Sequence, residues 1–527
     1  MISTETESNL LSQGVSTELA KHIPTIIKEC KSHGLDPFEL VIEEFSADEI
    51  AELGAYGGFP VRYPHFSFGQ QYQQLHNQYH SGMGKIYEMV VNNDPTYMYL
   101  QRNNPLVDNL TVVAHALAHS DFFKNNIYFK NTNRNMMNVM ANHGQRIRQY
   151  GNIYGRKRVA DFLDACLSID DLIDPSDVWK SSSPAPDKMV FDLPVEQYTP
   201  DRLPSNHYMD GFINTQKYLK DQRKIHYREK RKSRENYPSK PSRDVLLFIL
   251  KHFRLEPWKQ NILSMVREES IYYRPQMTTK VLNEGWASYW DSYIMTKCNY
   301  ATDAGIISYA KHHAGVLGGK YAMNNPYRLG NYLLRDVERR WDTGQHGSDW
   351  ENCDDETVKE KWNTKAHAGR EKIFDVRRNY NDVNFINEFF TPEFCKKHEY
   401  FEYTLNSQTN KYEISGRDFN SIKGTLLKQY TNGGRPVINL TKFHKKGIEL
   451  THTFTGEELD VTYIEGVLKM LYRIIHTDIS VKTKTIESIE SSPYARFMDV
   501  VSGGDVIVRD KTYFYDGYKV RARVNKD

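Results

Sequence analysis

Through most of its first 395 residues the chain repeats apolar side chains at intervals of three and four, and beyond about residue 397 that rhythm stops. Leu19, Ile23, Ile26 and Ile27 begin the series, and Phe38, Leu40, Val41 and Phe45 continue it, so residues 16–53 read as helical. The stretch VADFLDACLSIDDLID (159–174) carries Val159, Phe162, Leu163, Cys166 and Leu167 at the same spacing, and helical patterning returns over 244–300 and on to about 340. After residue 397, EYFEYTL, KYEIS, PVINLT, IELTHTF and VIVRD read as short strands, with one helix over Tyr463–His476. The period change implies a mainly α protein: a large helical domain over 1–396 and a smaller C-terminal α+β domain over 397–527. A chain of 527 residues exceeds one ordinary core, which fits this division.

Punctuation within the helical part is clear in places. GAYGGFPVRYPHFSFG (54–69) reads as a loop with aromatic anchors, and the helical pattern around Tyr72–Val91 meets a stop at Asn92-Asn93-Asp94-Pro95. A further break falls near Asn131–Asn135. Residues 176–243 read as a loop and insertion, rich in Pro, Ser and Asp at first and strongly basic over 217–243. Tyr218, Tyr227 and Tyr237 interleave with the basic residues there, as in a nucleic-acid patch. The net charge of +2 and the lack of a recognisable nucleic-acid module favour a solvated insertion instead. Asn432-Gly433-Gly434 reads as a hairpin-type turn.

Location follows from what is missing. The start, MISTETESNLLSQG, has neither a basic nor an apolar leader segment, and no stretch approaches 18 apolar residues. Five cysteines, an odd number never arranged as C-x-x-C, read as reduced thiols. A cytoplasmic protein without membrane contact is the expectation.

VVAHALAHSDFF (112–123) places His115 and His119 four apart, so both imidazoles leave one face of a helix and can reach one zinc ion. A pair of packed core histidines has the same spacing. In TKVLNEGWASYWDSY (279–293), Glu284 lies among Leu282, Trp286, Ala287 and Trp290, where an unpaired carboxylate would be costly. This segment resembles the element that supplies the glutamate ligand of gluzincin metallopeptidases. The resemblance implies a His115, His119 and Glu284 metal set with an open fourth position, the catalytic pattern for zinc. It also exposes a departure, because the residue after the first histidine, a glutamate base in H-E-x-x-H enzymes, is Ala116.

Glu268 and Glu269 in MVREESIYY (265–273) are substitute bases, of which at most one can point inward, and Glu269 is preferred; salt bridges to Arg267 or Arg274 are the alternative. His143, on a helix with Met136, Val139 and Met140, is a candidate fourth ligand or supporting donor, or a packed core histidine. Asp121 could orient a ligand or cap the helix. Tyr327, opening a helix after Pro326, could stabilise an oxyanion.

Longer blocks extend the resemblance. FGQQYQQLHNQYHSGMGKIYEMVVNNDPTYMYL (68–100), VVAHALAHSDFFKNNIYF (112–129), MANHGQRIRQYGNIYG (140–155), VREESIYYRPQMTTKVLNEGWASYW (266–290) and NPYRLGNYLLRDVERRW (325–341) are similar to the stage V sporulation protein R family. Asp291, after Trp290, stands where the family is associated with a histidine. The resemblance implies a link to sporulation and the spore cortex, a peptidoglycan layer, and to stress or stationary-phase physiology. It also implies a PrkA-type serine kinase and a von Willebrand-like protein as partners. Three functions stay open: a zinc-dependent hydrolase of peptides or peptidoglycan fragments, a catalytically degenerate metal-binding regulator, and a structural protein whose His and Glu residues form a metal-free polar network.

Overall fold

The histidine-bearing segment folds as one long helix, Leu106–Asn125, whose residues Asp108–Phe123 are all buried. A helix buried on every side must be central to its domain, and this one is. The computed structural model describes residues 2–81, 88–174, 202–204, 209–224, 238, 240–297, 303–318, 325–406, 409, 411–444, 447–487 and 507–524. The protein is mainly α, and it separates into two compact units, Met1–Arg156 with Ile271–Gly434, and Lys157–Ser270 with Arg435–Asp527. This division does not follow the change of pattern near 397. Residues 225–237 and 239 of the basic segment lie outside the described residues.

In the first unit, helices Thr17–Ser32, Lys280–Lys297 and Gly369–Asn379 pack on the histidine helix. Ala114, Ala116 and Ala118 are fully buried, and small side chains at these positions let neighbouring helices come close. A three-stranded sheet accompanies them in the order β1 (Leu40–Phe45), β3 (Thr96–Gln101), β2 (Glu88–Val91), with β1 parallel and β2 antiparallel to β3. Thr96 Oγ1 lies 2.9 Å from Ser120 Oγ, which fastens the histidine helix to the sheet.

Two of these strands correct the helical reading of the sequence. Residues 40–45 are a strand because Val41 and Ile42 are β-branched and the segment gains a full ladder against β3. The pattern over Tyr72–Val91 divides into helix Phe66–His80 and strand β2. Asn92–Pro95 is the turn joining β2 to β3 rather than a helix terminus. Strands β4 (Glu402–Asn406) and β5 (Lys411–Gly416) form a separate antiparallel pair.

Asn432-Gly433-Gly434 also departs from its reading. Helix Phe419–Tyr430 ends there, and Asn432, Gly433 and Gly434 take φ of 55°, 65° and 73°, left-handed values that glycine and asparagine tolerate. The segment follows a helix instead of joining two strands, and Asn432 Oδ1 accepts a hydrogen bond from Arg274.

The second unit contains a five-stranded sheet in the order β10 (Val520–Val524), β9 (Ile507–Tyr515), β8 (Asp478–Glu487), β7 (Gly447–His452), β6 (Ile438–His444). Strands β7 and β8 are parallel and are joined through helix Val461–Ile475. That helix buries Ile464, Leu468, Leu471, Ile474 and Ile475. Burying each such side chain is worth ~1.5–3 kcal/mol, which accounts for the helix forming against the sheet.

Candidate metal centre

Three donor atoms converge in the first unit. One ligand atom each of His115, His119 and Glu284 lies within 4.8 Å of the other two. His119 Nε2 is 3.3 Å, and His115 Nε2 3.6 Å, from Glu284 Oε2. The edges of a tetrahedron of ligands at 2.0–2.1 Å from zinc are about 3.3–3.4 Å long, so these separations fit a shared ion better than hydrogen bonds.

The opposite nitrogens of both rings are anchored. His115 Nδ1 is 2.7 Å from Asp291 Oδ2, and His119 Nδ1 is 2.9 Å from Asn283 Oδ1. Both partners are acceptors, so each Nδ1 carries the proton and donates it. The lone pairs on Nε2 then face the Glu284 carboxylate. Glu284 Oε2 is buried and accepts no hydrogen bond of adequate geometry. Lone pairs turned on a buried carboxylate repel it unless a cation, either a proton or a metal ion, stands among them. Burial pushes the Glu284 carboxyl upward, but protonated His119 and His115, whose extra protons would stand where a metal ion could, outweigh it and hold the group below the usual carboxylate range.

The helices explain how this set forms. His115 and His119 are one turn apart and their rings meet edge to face, centroids 4.7 Å apart. Glu284 and Asp291 are two turns apart on Lys280–Lys297, which puts both on one face. Asp382 accepts hydrogen bonds from the Val281 and Leu282 N–H groups at 3.0 and 2.9 Å, securing the start of that helix. Asp121, fully buried, accepts from the Trp286 indole at 2.9 Å and from the Asp36 N–H at 2.7 Å, so it ties the two helices together rather than turning toward the donor set.

A cavity of about 380 Å³ opens beside the donors, with Val90, His119, Phe123, Lys280, Glu284 and Tyr327 in its wall. Tyr327 is the first residue after Pro326 in helix Pro326–Thr343, and its ring stacks on His115 with centroids 6.1 Å apart. His143 is buried on helix Met136–Tyr154 and does not belong to the converging set. Glu269 is buried on helix Pro257–Thr278, within the second unit, and is not among the cavity-wall residues.

The sequence reading passed over Asn283 and Asp291 as ring anchors. Asn283 adjoins Glu284 and Asp291 follows it by seven, a same-face interval that marks both as supports once Glu284 is taken as a ligand.

A family model described as SpoVR like protein matches residues 15–435. The chain is 26% identical over 442 residues to the uncharacterized protein YcgB of Escherichia coli (strain K12), covering 78% of this chain and 80% of that protein. No solved structure matches it.

Proposed function

The chain belongs to the SpoVR-like family, and from its converging donor set beside a cavity we propose a metal-dependent hydrolase of amide or peptide bonds. The observation that carries the reading is the pair of Nδ1-anchored imidazoles facing Glu284. His115, His119 and Glu284 would hold zinc, two nitrogens and one oxygen being a donor set that suits it and leaves a further position for substrate or water. A bound zinc ion supplies Lewis acidity toward a carbonyl and toward water. The long central helix with its histidine pair and the separate glutamate helix support a zincin-like core.

Each remaining role falls to a residue of this chain. The Tyr327 phenol, beside His115 and in the cavity wall, donates a hydrogen bond to the carbonyl oxygen as negative charge develops. Lys280 in the same wall attracts a substrate carboxylate. Strand β2 is at the edge of its sheet and contributes Val90 to the wall, so an extended peptide can align along it. Ala116 cannot take the proton from water, so the hydrolase reading requires a base outside the histidine helix. Peptides or peptidoglycan fragments in the cytoplasm are the substrate class, which links the activity to the spore cortex or to stationary-phase physiology.

Ala116 also supports a second reading. It is fully buried, and Glu284 is the only carboxylate in the cavity wall among the described residues. A metal-holding recognition protein acting with a PrkA-type serine kinase and a von Willebrand-like protein needs no base.

Incubating zinc-loaded protein with peptide and muropeptide mixtures, followed by mass spectrometry, separates the two. Cleavage that is lost in Glu284→Ala supports the hydrolase. Tight metal binding without cleavage supports the recognition protein.

A further inference from the structure

Helix Phe66–His80 buries none of its fifteen residues, yet it carries a second histidine pair at helical spacing, His76 and His80. Core packing cannot explain this pair. The two rings lie side by side with centroids 4.2 Å apart, and both present Nε2 to one oxygen of Asp48, at 3.5 and 3.4 Å. One ligand atom from each of the three lies within 4.8 Å of the others.

Asp48 comes from helix Ala47–Ala55, which packs against Phe66–His80. The cap of that helix is already complete without it: Ser46 and Glu49 satisfy each other's backbone N–H groups in a capping box. Asp48 is therefore not needed for capping. The histidine helix segment is itself held in place, because Tyr79 accepts a hydrogen bond from Gln101 at 2.8 Å, and Gln101 is buried in β3. Tyr56 and Tyr63 pack on Phe68 near its start.

We propose that Asp48, His76 and His80 form a second, surface site for a divalent transition-metal ion, one that clamps helix Ala47–Ala55 to helix Phe66–His80. His80 and Asp48 also form a long hydrogen bond, and separations of 3.4–3.5 Å match the edge of about 3.3–3.4 Å expected between ligands of a tetrahedral zinc ion. Two imidazoles and one carboxylate select Zn²⁺, Ni²⁺, Co²⁺ or Cu²⁺ over Mg²⁺ or Ca²⁺, which demand more oxygen ligands. The side chains are 33% (His76), 55% (His80) and 61% (Asp48) exposed, so ions enter and leave freely and the remaining coordination positions face solvent. The ion here is exchangeable and acts on structure, unlike the buried set, and the proposal does not depend on hydrolysis.

The test is calorimetric titration of tag-free, chelator-treated protein with Ni²⁺, in a His115→Ala background that removes the buried set. That background is expected to bind one equivalent. Adding His76→Ala and His80→Ala together should abolish this binding, and adding Asp48→Asn should weaken it on the order of tenfold, since even outer-shell partners are worth about 10–100-fold. An unchanged stoichiometry and Kd after removing the pair, or no Ni²⁺ binding in the His115→Ala background, overturns the proposal. Should His115→Ala not fold, the wild-type chain must lose one equivalent on His76→Ala/His80→Ala, and neither histidine being buried, that variant keeps its fold. No loss there overturns it equally.

Discussion

Gly285 and Gly330 meet backbone to backbone where the glutamate helix crosses helix Pro326–Thr343. A methyl group added at Gly285 would land on the Cα and carbonyl carbon of Gly330, and one added at Gly330 would land on the Val281 carbonyl oxygen. Glu284 adjoins the first glycine, and Tyr327 lies three residues before the second. The contact therefore sets the distance from the metal-binding carboxylate to the tyrosine across the cavity.

Gly285→Ala forces backbones apart rather than a flexible side chain, so the cost should lie toward the top of the range for overpacking, about 3 kcal/mol. Urea denaturation should show a lower midpoint with little change in slope. Gly330→Ala should behave alike, and a midpoint equal to wild type in both would contradict the close crossing.

Asp291→Asn tests the anchoring of His115. The amide is the same size and its oxygen can still accept from Nδ1–H, but it lacks the carboxylate's charge, so the ring loses basicity and is held less firmly. Zinc affinity is expected to fall about 10–100-fold with the fold intact by circular dichroism. Asn283→Ala should produce the corresponding loss at His119.

Asp382 makes stability depend on pH. Burial pushes its carboxyl up to about 7 from 3.8, despite the helix N–H groups that favour its charged form. A raised carboxyl means that the folded state holds a proton that the unfolded chain has already released. Stability is therefore expected to fall as pH rises from about 4 through 7, by at most roughly 4 kcal/mol. Asp382→Asn should flatten this slope in thermal melts taken across that window, even if its melting temperature is lower throughout.

Tyr327→Phe should leave zinc content unchanged and lower kcat about 10²–10³-fold, with KM little altered, if the phenol serves the developing charge. Steady-state kinetics on any peptide cleaved by the wild type provides the check.

The parts of this architecture legible in the sequence are those with strong local signals. The histidine and glutamate helices, strands β4 to β7, the start of β9 and the helix before β8 follow from period and composition alone, whereas β8, β10 and helix Phe419–Tyr430 do not. Leu40–Phe45 did not, because its apolar residues also satisfy a helical pattern and only the ladder with β3 decides the matter. Asn432-Gly433-Gly434 carries the chemistry of a tight turn whichever elements it joins. The donor set was legible as three residues, whereas its supports, Asn283 and Asp291, were not, since their roles exist only once two distant helices meet. His76 and His80 had the same spacing as His115 and His119, but a spacing says nothing about the carboxylate that another helix brings to it.

The central claim is that His115, His119 and Glu284 hold one metal ion, and elemental analysis of dialysed protein tests it most directly. The measurement belongs in a His76→Ala/His80→Ala background, so that only the buried set contributes. About one zinc or similar ion per chain, lost on adding His115→Ala or Glu284→Ala to a chain that stays folded, is the predicted result. A folded chain that takes up no metal even after reconstitution would contradict it, and would leave the two histidines and Glu284 as a buried ion-paired network.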